Sequence, residues 1–224
     1  MFTVFKIIKS GNKTTLASLL GPERGILVSD RDSSLTFWAM KNRQICWAHL
    51  LRKFVLFSER DGPAGDMGRE FLAYTSLIFE YWHAKKAGTI TRKEFRAWMV
   101  PVRSGFEELL ERASAVGIKG LSGCCANMVK HKEALWTFVD HHGVEPTNNH
   151  AERELRAFVM WRRRCFGSQS ERGDRFAERI MTIAHTARKQ ERDVLTFLTD
   201  CCQAAVTGAD APSLFDATAT QAAA

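Results

Sequence analysis

The sequence predicts an α/β fold in which a short β-α-β unit is followed by a long series of helices. Residues 2–8 (FTVFKII) are β-branched and aromatic, as in a strand. Asn12 is placed to cap a helix that ends before Gly21-Pro22. Residues 25–29 (GILVS) form a short apolar run after a turn, which is typical of a buried parallel strand. Strand, helix and strand within about 30 residues predict a β-α-β unit.

Helices are predicted for most of the next 110 residues or so, apart from one strand. Residues 33–40 are a short helix candidate, residues 43–47 a third short strand, and residues 48–59 a helix with one apolar side. Between residues 62 and 139 apolar side chains recur at helical spacing, and strand-like alternation is absent from the sequence. This stretch is therefore predicted to be an all-helical insertion.

The carboxy-terminal part is also predicted to be helical. A helix begins at about His150, after the loop VEPTNN at residues 144–149. A polar loop at residues 167–173 precedes an amphipathic helix, and residues 194–205 form a last helix. The tail from Thr207 is rich in Ala, Thr and Asp, which predicts disorder.

The composition is that of an ordinary globular protein with a surplus of basic residues. Hydrophobic residues make up 45% of the 224 residues and charged residues 25%, and the formal net charge is +7. A surplus of this kind favours nucleic acid or another anionic surface as partner, although many basic proteins bind neither.

The cysteine pattern and the amino terminus indicate the compartment. Six cysteines occur as two adjacent pairs and two single residues, which is a poor disulfide framework for a chain of this length. Cys46 and His49 form one C-x-x-H, and the sequence shows no second half of a zinc site. The start of the chain lacks the form of a signal peptide, and no run approaches the roughly 20 apolar residues of a membrane span. We expect a soluble, cytoplasmic protein that does not act at a membrane.

Asp30 is the first candidate for chemistry. It follows the predicted buried strand directly, and ligands of open α/β sheets gather at the carboxyl ends of strands. A carboxylate at that place can hold a divalent cation. An aspartate that starts a turn or caps the following helix is an equally good interpretation of its position alone.

Glu152 is the second candidate. With Asn149 as the cap of the helix that follows, Glu152 falls at the third helical position, which nearly matches a capping box. Spacing alone favours this capping role. The functional alternative is a carboxylate on the first helical turn that faces the strand ends and shares metal ions with a second, distant acid.

Several arginines near Glu152 are candidates for contacts with DNA. Trp161 and Phe166 lie among them, and arginines interleaved with aromatic residues suit phosphate contact and base stacking. A solvated basic helix face is the alternative. The candidates are Arg153, Arg156, Arg162, Arg163, Arg164 and Arg172.

Four motifs, in this order, resemble the IS66 family of insertion-sequence transposases. They are Leu27–Arg31 (LVSDR), Cys46–Arg52 (CWAHLLR), Glu145–Arg153 (EPTNNHAER), and Trp161–Gly173, which contains WRR and FGSQSERG. The resemblance runs from about residue 2 to residue 205. Four motifs in order are much more specific than any one of them.

The resemblance implies an RNase H-like fold and a D-D-E triad of acids. Such enzymes bind two divalent metal ions, usually taken as Mg²⁺, and cut and join DNA strands. Paired metals about 3.5–4 Å apart can activate the attacking oxygen and stabilise the leaving one. By the resemblance Asp30 is the second acid, Glu152 is the third, and both are metal ligands.

The first acid of the triad is where the sequence departs from the family. Before Asp30 the chain contains one acid, Glu23, which lies beside a Gly-Pro turn. We expect the first acid in a segment before Met1. The RNase H-like core of this chain is then incomplete, with its first two strands missing and one strand edge exposed.

The resemblance and the residue patterns together predict five segments. These are a partial RNase H-like catalytic core at residues 1–61, an all-helical insertion at 62–143, the core helix with the final acid at 144–166, a carboxy-terminal helical segment at 167–206 and a disordered tail at 207–224.

Three hypotheses about function follow. The first is a D-D-E transposase that is inactive as this chain alone and acts with other transposase copies or a part encoded upstream. The second is a non-catalytic fragment that binds DNA or interferes with an intact transposase. The third is a vestigial product, motivated by the exposed strand edge.

Overall fold

The computed structural model describes residues 2–215, which form two compact units. The larger unit comprises residues 11–150. The smaller unit combines residues 2–10 with the chain from residue 151 onward.

The larger unit begins with the helix α1 (Lys13–Leu20). The Thr15 N–H donates to Asn12 Oδ1 at 2.9 Å, so the side chain satisfies one of the donors that the first helical turn leaves open. The helix ends at Gly21, whose φ of 67° suits glycine. The predicted cap and the predicted end of this helix are confirmed.

A two-stranded parallel sheet follows within the described part of the larger unit. The strand β1 (Leu27–Ser29) pairs with β2 (Arg43–Ile45), and Val28 lies opposite Gln44. The helix predicted over residues 33–40 is wrong. Two short 3-10 turns at residues 33–35 and 40–42 take its place, the first capped by Asp32 through the Ser34 N–H.

Helices make up the rest of the larger unit, so the helical character predicted for residues 62–139 is confirmed. The break between the two longest helices contains Gly88, as expected. These helices are α2 (Trp47–Ser58), α3 (Pro63–Lys86), α4 (Arg92–Ala115), α5 (Leu121–Lys130) and α6 (Thr137–Asp140).

Aromatic side chains form the centre of the core of this unit. The Trp47 ring centroid lies 5.1 Å from that of Phe106 and 5.2 Å from that of Trp136, and the indole N–H of Trp47 donates to the Leu135 carbonyl at 2.8 Å. Phe54 is also fully buried, on the same helix as Trp47. One core therefore joins the end of β2 to the helical block, and the predicted boundary at residue 62 stays a prediction.

Gly68 allows the close approach of α3 to the end of α2. A Cβ at this position would lie 2.2 Å from the backbone nitrogen of Ser58. We expect Gly68→Ala to lower the free energy of unfolding by about 2 kcal/mol or more, because backbone must shift to admit the methyl group. Gly123→Ala on α5 is the control, since a Cβ there meets open space and alanine favours a helix by about 1 kcal/mol. Urea unfolding that ranks the two variants in the opposite order would contradict this packing.

The smaller unit contains three helices among its described residues, which confirms the helical character predicted for the carboxy-terminal segment. They are α7 (Asn149–Cys165), which starts in the last two residues of the larger unit, α8 (Glu171–Lys189) and α9 (Val194–Thr207).

Residues 2–8 are not a strand in the described structure, so the predicted β-α-β unit is wrong. Alternate N–H groups of the segment donate instead to side chains along α8: Thr3 to Thr186 Oγ1 at 3.1 Å, Phe5 to Thr182 Oγ1 at 3.0 Å, and Ile7 to Glu178 Oε1 at 2.7 Å. Two residues of extended chain advance about 6.6 Å and four helical residues about 6 Å, so the spacings match. Side chains of α8 thus satisfy the donors that a neighbouring strand would bind.

A partly buried ion pair connects α7 to α8. Glu154 Oε2 lies 2.6 Å from His185 Nδ1 and 3.2 Å from Lys189 Nζ, and the Phe5 ring packs against the His185 ring at 4.9 Å between centroids. Burial raises the pKa of the Glu154 carboxyl, but the hydrogen bonds from His185 and Lys189 outweigh burial, and the net pKa is below its ordinary value. This carboxylate therefore stays ionised and holds the two helices together.

The segment after α9 packs against the end of α8. Gln190 Nε2 donates to the Leu214 carbonyl at 2.9 Å, and an Arg192 Nη donates to the Ser213 carbonyl at 2.7 Å. The disordered tail predicted from residue 207 falls partly on residues 216–224, which lie outside the described residues.

Candidate functional site

Asp30 lies at the carboxyl end of β1, where the sequence places it. The Ser29 carbonyl accepts from the Cys46 N–H at 2.7 Å, so the ends of β1 and β2 are held side by side. The half-exposed Asp30 accepts a hydrogen bond on Oδ1 from the Asp32 N–H at 3.1 Å. The backbone therefore fixes one carboxylate oxygen at the strand end.

A buried cation lies directly beside this strand end. Arg43 is 0% exposed, and its Nη2 donates to Ser29 Oγ and to the Asp30 carbonyl, each at 3.2 Å. Burial lowers the pKa of the Arg43 guanidinium, while the charges of Asp30 and Asp32 act to raise it. The sequence did not predict a role for Arg43 at this site, because an arginine in a three-residue strand is expected to lie at an exposed sheet edge.

Arg31 ties the Asp30 loop to the helical block. Its Nη1 donates to Asn127 Oδ1 at 3.0 Å, and its Nη2 lies 3.6 Å from the sulfur of Cys124. Both partners belong to α5. Arg31 therefore ties the Asp30 loop to α5, while Arg43 ties the same loop to β2.

Glu23, the acid that precedes Asp30, has a structural role. Its two carboxylate oxygens accept from the Ala39 N–H at 2.6 Å and from Asn42 Nδ2 at 2.9 Å. The hydrogen bond from Asn42, followed by the bond from Ala39, holds the pKa of Glu23 below its ordinary value. Glu23 thus bridges the segment between the two strands.

The loop that leads to Glu152 is attached to the same end of the sheet. The Trp47 N–H donates to the Pro146 carbonyl at 3.0 Å, and the Asn148 N–H donates to the sulfur of Cys46 at 3.4 Å. Cys46 and Trp47 follow β2 directly, so the motif CWAHLLR contacts the motif EPTNNHAER through one backbone hydrogen bond and one bond to the Cys46 sulfur. Sequence reasoning identified both motifs but not this contact.

Glu152 lies in the first turn of α7, as predicted. Asn149, the predicted cap, is instead the first residue of the helix. Glu152 belongs to the smaller unit and Asp30 to the larger one. The pairing of the two acids stays a prediction.

The six arginines predicted to contact DNA are all exposed. Each residue of α7 is at least partly exposed, and three arginines occupy its last turn. The side chain of Phe166, directly after α7, is also open to solvent. These residues present positive charge and one aromatic ring at the end of a helix.

The larger unit alone does not fit the two-metal centre that a D-D-E triad implies. Among residues 2–215, no group of three or more His, Cys, Asp or Glu side chains is arranged to hold a metal ion. Asp32, the carboxylate next along from Asp30, accepts from the Ser34 N–H, and this bond is the main cause that lowers its pKa.

Comparison with known proteins identifies the family. Residues 1–175 match the family model described as Transposase IS66 family. The chain belongs to the IS66 transposase family. The resemblance based on four motifs is thereby confirmed. No curated protein and no solved structure gave a match.

Among residues 2–215, no helix combines the length and the apolar composition that crossing a bilayer requires. A transposase family implies DNA as the partner.

Proposed function

We propose that this IS66 family member takes part in D-D-E transposition, the metal-dependent cleavage and transfer of DNA strands of an insertion sequence. Asp30 serves as the second acid of the triad and Glu152 as the third. Two Mg²⁺ ions, when bound, would activate the attacking oxygen and stabilise the leaving oxygen. The residues of this chain would hold part of that centre.

The observation that supports the proposal is that Asp30 and the loop that precedes α7 both lie at the carboxyl end of one parallel sheet. Asp30 follows β1 directly, and Asn148 is hydrogen-bonded to Cys46, which follows β2. Ligand sites of open α/β sheets lie outside these strand ends.

The chain alone is proposed to be inactive. Glu23 is committed to Ala39 and Asn42, so Asp30, one oxygen of which accepts from the Asp32 N–H, is the acid of residues 2–30 that remains to bind a metal. A centre with two of three acids would lack a ligand for at least one metal. Activity would then require other transposase copies or a part encoded upstream.

A plasmid cleavage assay in the presence of Mg²⁺ or Mn²⁺ tests this proposal. We expect the purified 224-residue chain to leave supercoiled DNA intact, as Asp30→Asn and Glu152→Gln do. Metal-dependent cleavage that Asp30→Asn and Glu152→Gln both abolish would confirm the two acids and refute the proposed inactivity. Cleavage that persists in both variants would refute the assignment of the acids.

The exposed arginines of α7 favour a second candidate, a non-catalytic chain that binds DNA in the cytoplasm and interferes with intact transposase. The two candidates share the DNA-contact residues Arg153, Arg156, Arg162, Arg163, Arg164 and Arg172. The two candidates predict different results when proteins are mixed. For the first candidate, this chain gains activity when the missing part is supplied. For the second, a complete transposase loses activity when this chain is added. A vestigial product would show neither effect and would lack a cooperative unfolding transition.

A further inference from the structure

Phe166 occupies a backbone conformation that suits glycine. Its φ is 57°, in the left-handed region, and it comes directly after the last residue of α7. Helices commonly end on such a residue, but that residue is usually Gly or Asn, because a bulky side chain is strained there. The backbone therefore gives no reason for a phenylalanine at this position.

Packing gives no reason either. The Phe166 side chain is 87% exposed, so its ring buries almost no apolar surface within the described chain. An aromatic ring gains stability mainly by leaving water, and a strained, exposed one costs free energy without any gain inside the protein. A residue with these properties is explained by a contact outside the chain.

The loop that follows Phe166 is well held. Ser168 donates to Asp174, and the Gly173 N–H donates to Ser170 Oγ at 3.1 Å, so the loop is attached to the first turn of α8. A Cβ at Gly167 would lie 3.2 Å from Cγ of Arg162, so the chain turns back beside the arginines of α7. The ring is therefore presented from a fixed position.

The surroundings of Phe166 are positively charged. Arg162, Arg163 and Arg164 occupy the turn before it, and Arg172 lies in the first turn of α8. All four side chains are exposed. A partner that meets this surface must carry negative charge and a flat apolar face, and nucleic acid has both.

We propose that Phe166 is a base-stacking residue that contacts unpaired or unstacked bases of DNA while the neighbouring arginines contact phosphates. The inference rests on the proposed function, because it takes DNA as the partner. Base–aromatic stacking needs only a π-face and so tolerates any sequence. The strain at Phe166 is the cost of holding the ring outward.

Two 20-nucleotide strands of equal charge test the proposal: oligo-dT, and the same backbone with abasic sites at every position. We expect Phe166→Ala in the full chain to weaken binding to oligo-dT about tenfold and to leave binding to the abasic strand unchanged. The slope of log K against log salt concentration stays the same, since the substitution removes no charge. Phe166→Trp retains the affinity.

The melting temperature of a further variant provides an independent test. Phe166→Gly relieves the left-handed strain and is expected to raise the melting temperature by about 2–4 °C while it binds oligo-dT as weakly as Phe166→Ala. Phe176→Ala is the matched control, because Phe176 is 67% exposed but lies within the regular helix α8. We expect this variant to prefer oligo-dT over the abasic strand as strongly as the unmodified chain does.

Two results would overturn the stacking role. These are equal affinity of Phe166→Ala and the unmodified chain for oligo-dT, and an equal loss of affinity on the abasic strand. Failure of the unmodified chain to bind either strand would instead refute the DNA partner itself, and the stacking role with it.

Discussion

Replacement of Arg162, Arg163 and Arg164 by alanine is expected to weaken duplex DNA binding by about two orders of magnitude at moderate salt. The three side chains are exposed in the last turn of α7. The slope of log K against log salt is negative, and each phosphate contact that is lost reduces its magnitude by about 0.9, so three lost contacts reduce it by about 2.7. A salt titration with a fluorescent duplex measures both quantities.

A second triple variant controls for net charge. Arg96, Arg103 and Arg112 are also exposed arginines, on α4, but they form ion pairs with Asp140, Glu107 and Glu70. We expect their replacement by alanine to leave the salt slope nearly unchanged, although the charge removed is the same. Equal losses in the two variants would show that DNA responds only to net charge and would contradict a specific contact surface on α7.

Trp47→Ala is expected to lower the free energy of unfolding by about 3–5 kcal/mol. Trp47 is fully buried, packs against Phe106 and Trp136, and donates its indole N–H to the Leu135 carbonyl. The variant loses the ring contacts and one of the two hydrogen bonds that the Leu135 carbonyl accepts, the other coming from Gln44 Nε2. Urea unfolding followed by circular dichroism measures the change.

Trp98→Ala is the matched control on the surface of the same unit. Trp98 is 44% exposed and contacts Tyr81, so its loss is expected to cost less than about 1 kcal/mol. A cooperative transition that shifts strongly for Trp47→Ala alone identifies a folded core. A broad transition that neither substitution shifts would instead favour the vestigial product.

Local signals in the sequence predicted much of the larger unit. The cap at Asn12, the strand predicted at residues 25–29 and the helical character of residues 62–139 each follow from neighbouring residues. The cap and the helical character are confirmed, and the strand is confirmed over residues 27–29. Residues 2–8 show the limit of such signals. Their strand-like composition is correct for an extended segment, but the partner is the side-chain row of α8, more than 170 residues away.

In the candidate site, too, local sequence signals identify some residues and miss others. Asp30 and the motif around Glu152 are recognisable from the sequence, because each follows or begins a predicted element. Arg43 is not, because its role depends on burial beneath the Asp30 loop, a tertiary property. The contact of Cys46 with Asn148 joins residues about 100 positions apart, and spacing carries no signal for it.

The most direct test of the proposed site is a crosslink between positions 30 and 152. A chain with Asp30→Cys and Glu152→Cys, in which the accessible native cysteines Cys124, Cys165, Cys201 and Cys202 are replaced by serine, is treated with a short bis-maleimide. Mass spectrometry identifies the joined peptides, with each single variant in the same background as control. Acids that share a metal centre predict one dominant crosslink between the two positions. Full modification of both cysteines without a crosslink would contradict a shared site for Asp30 and Glu152.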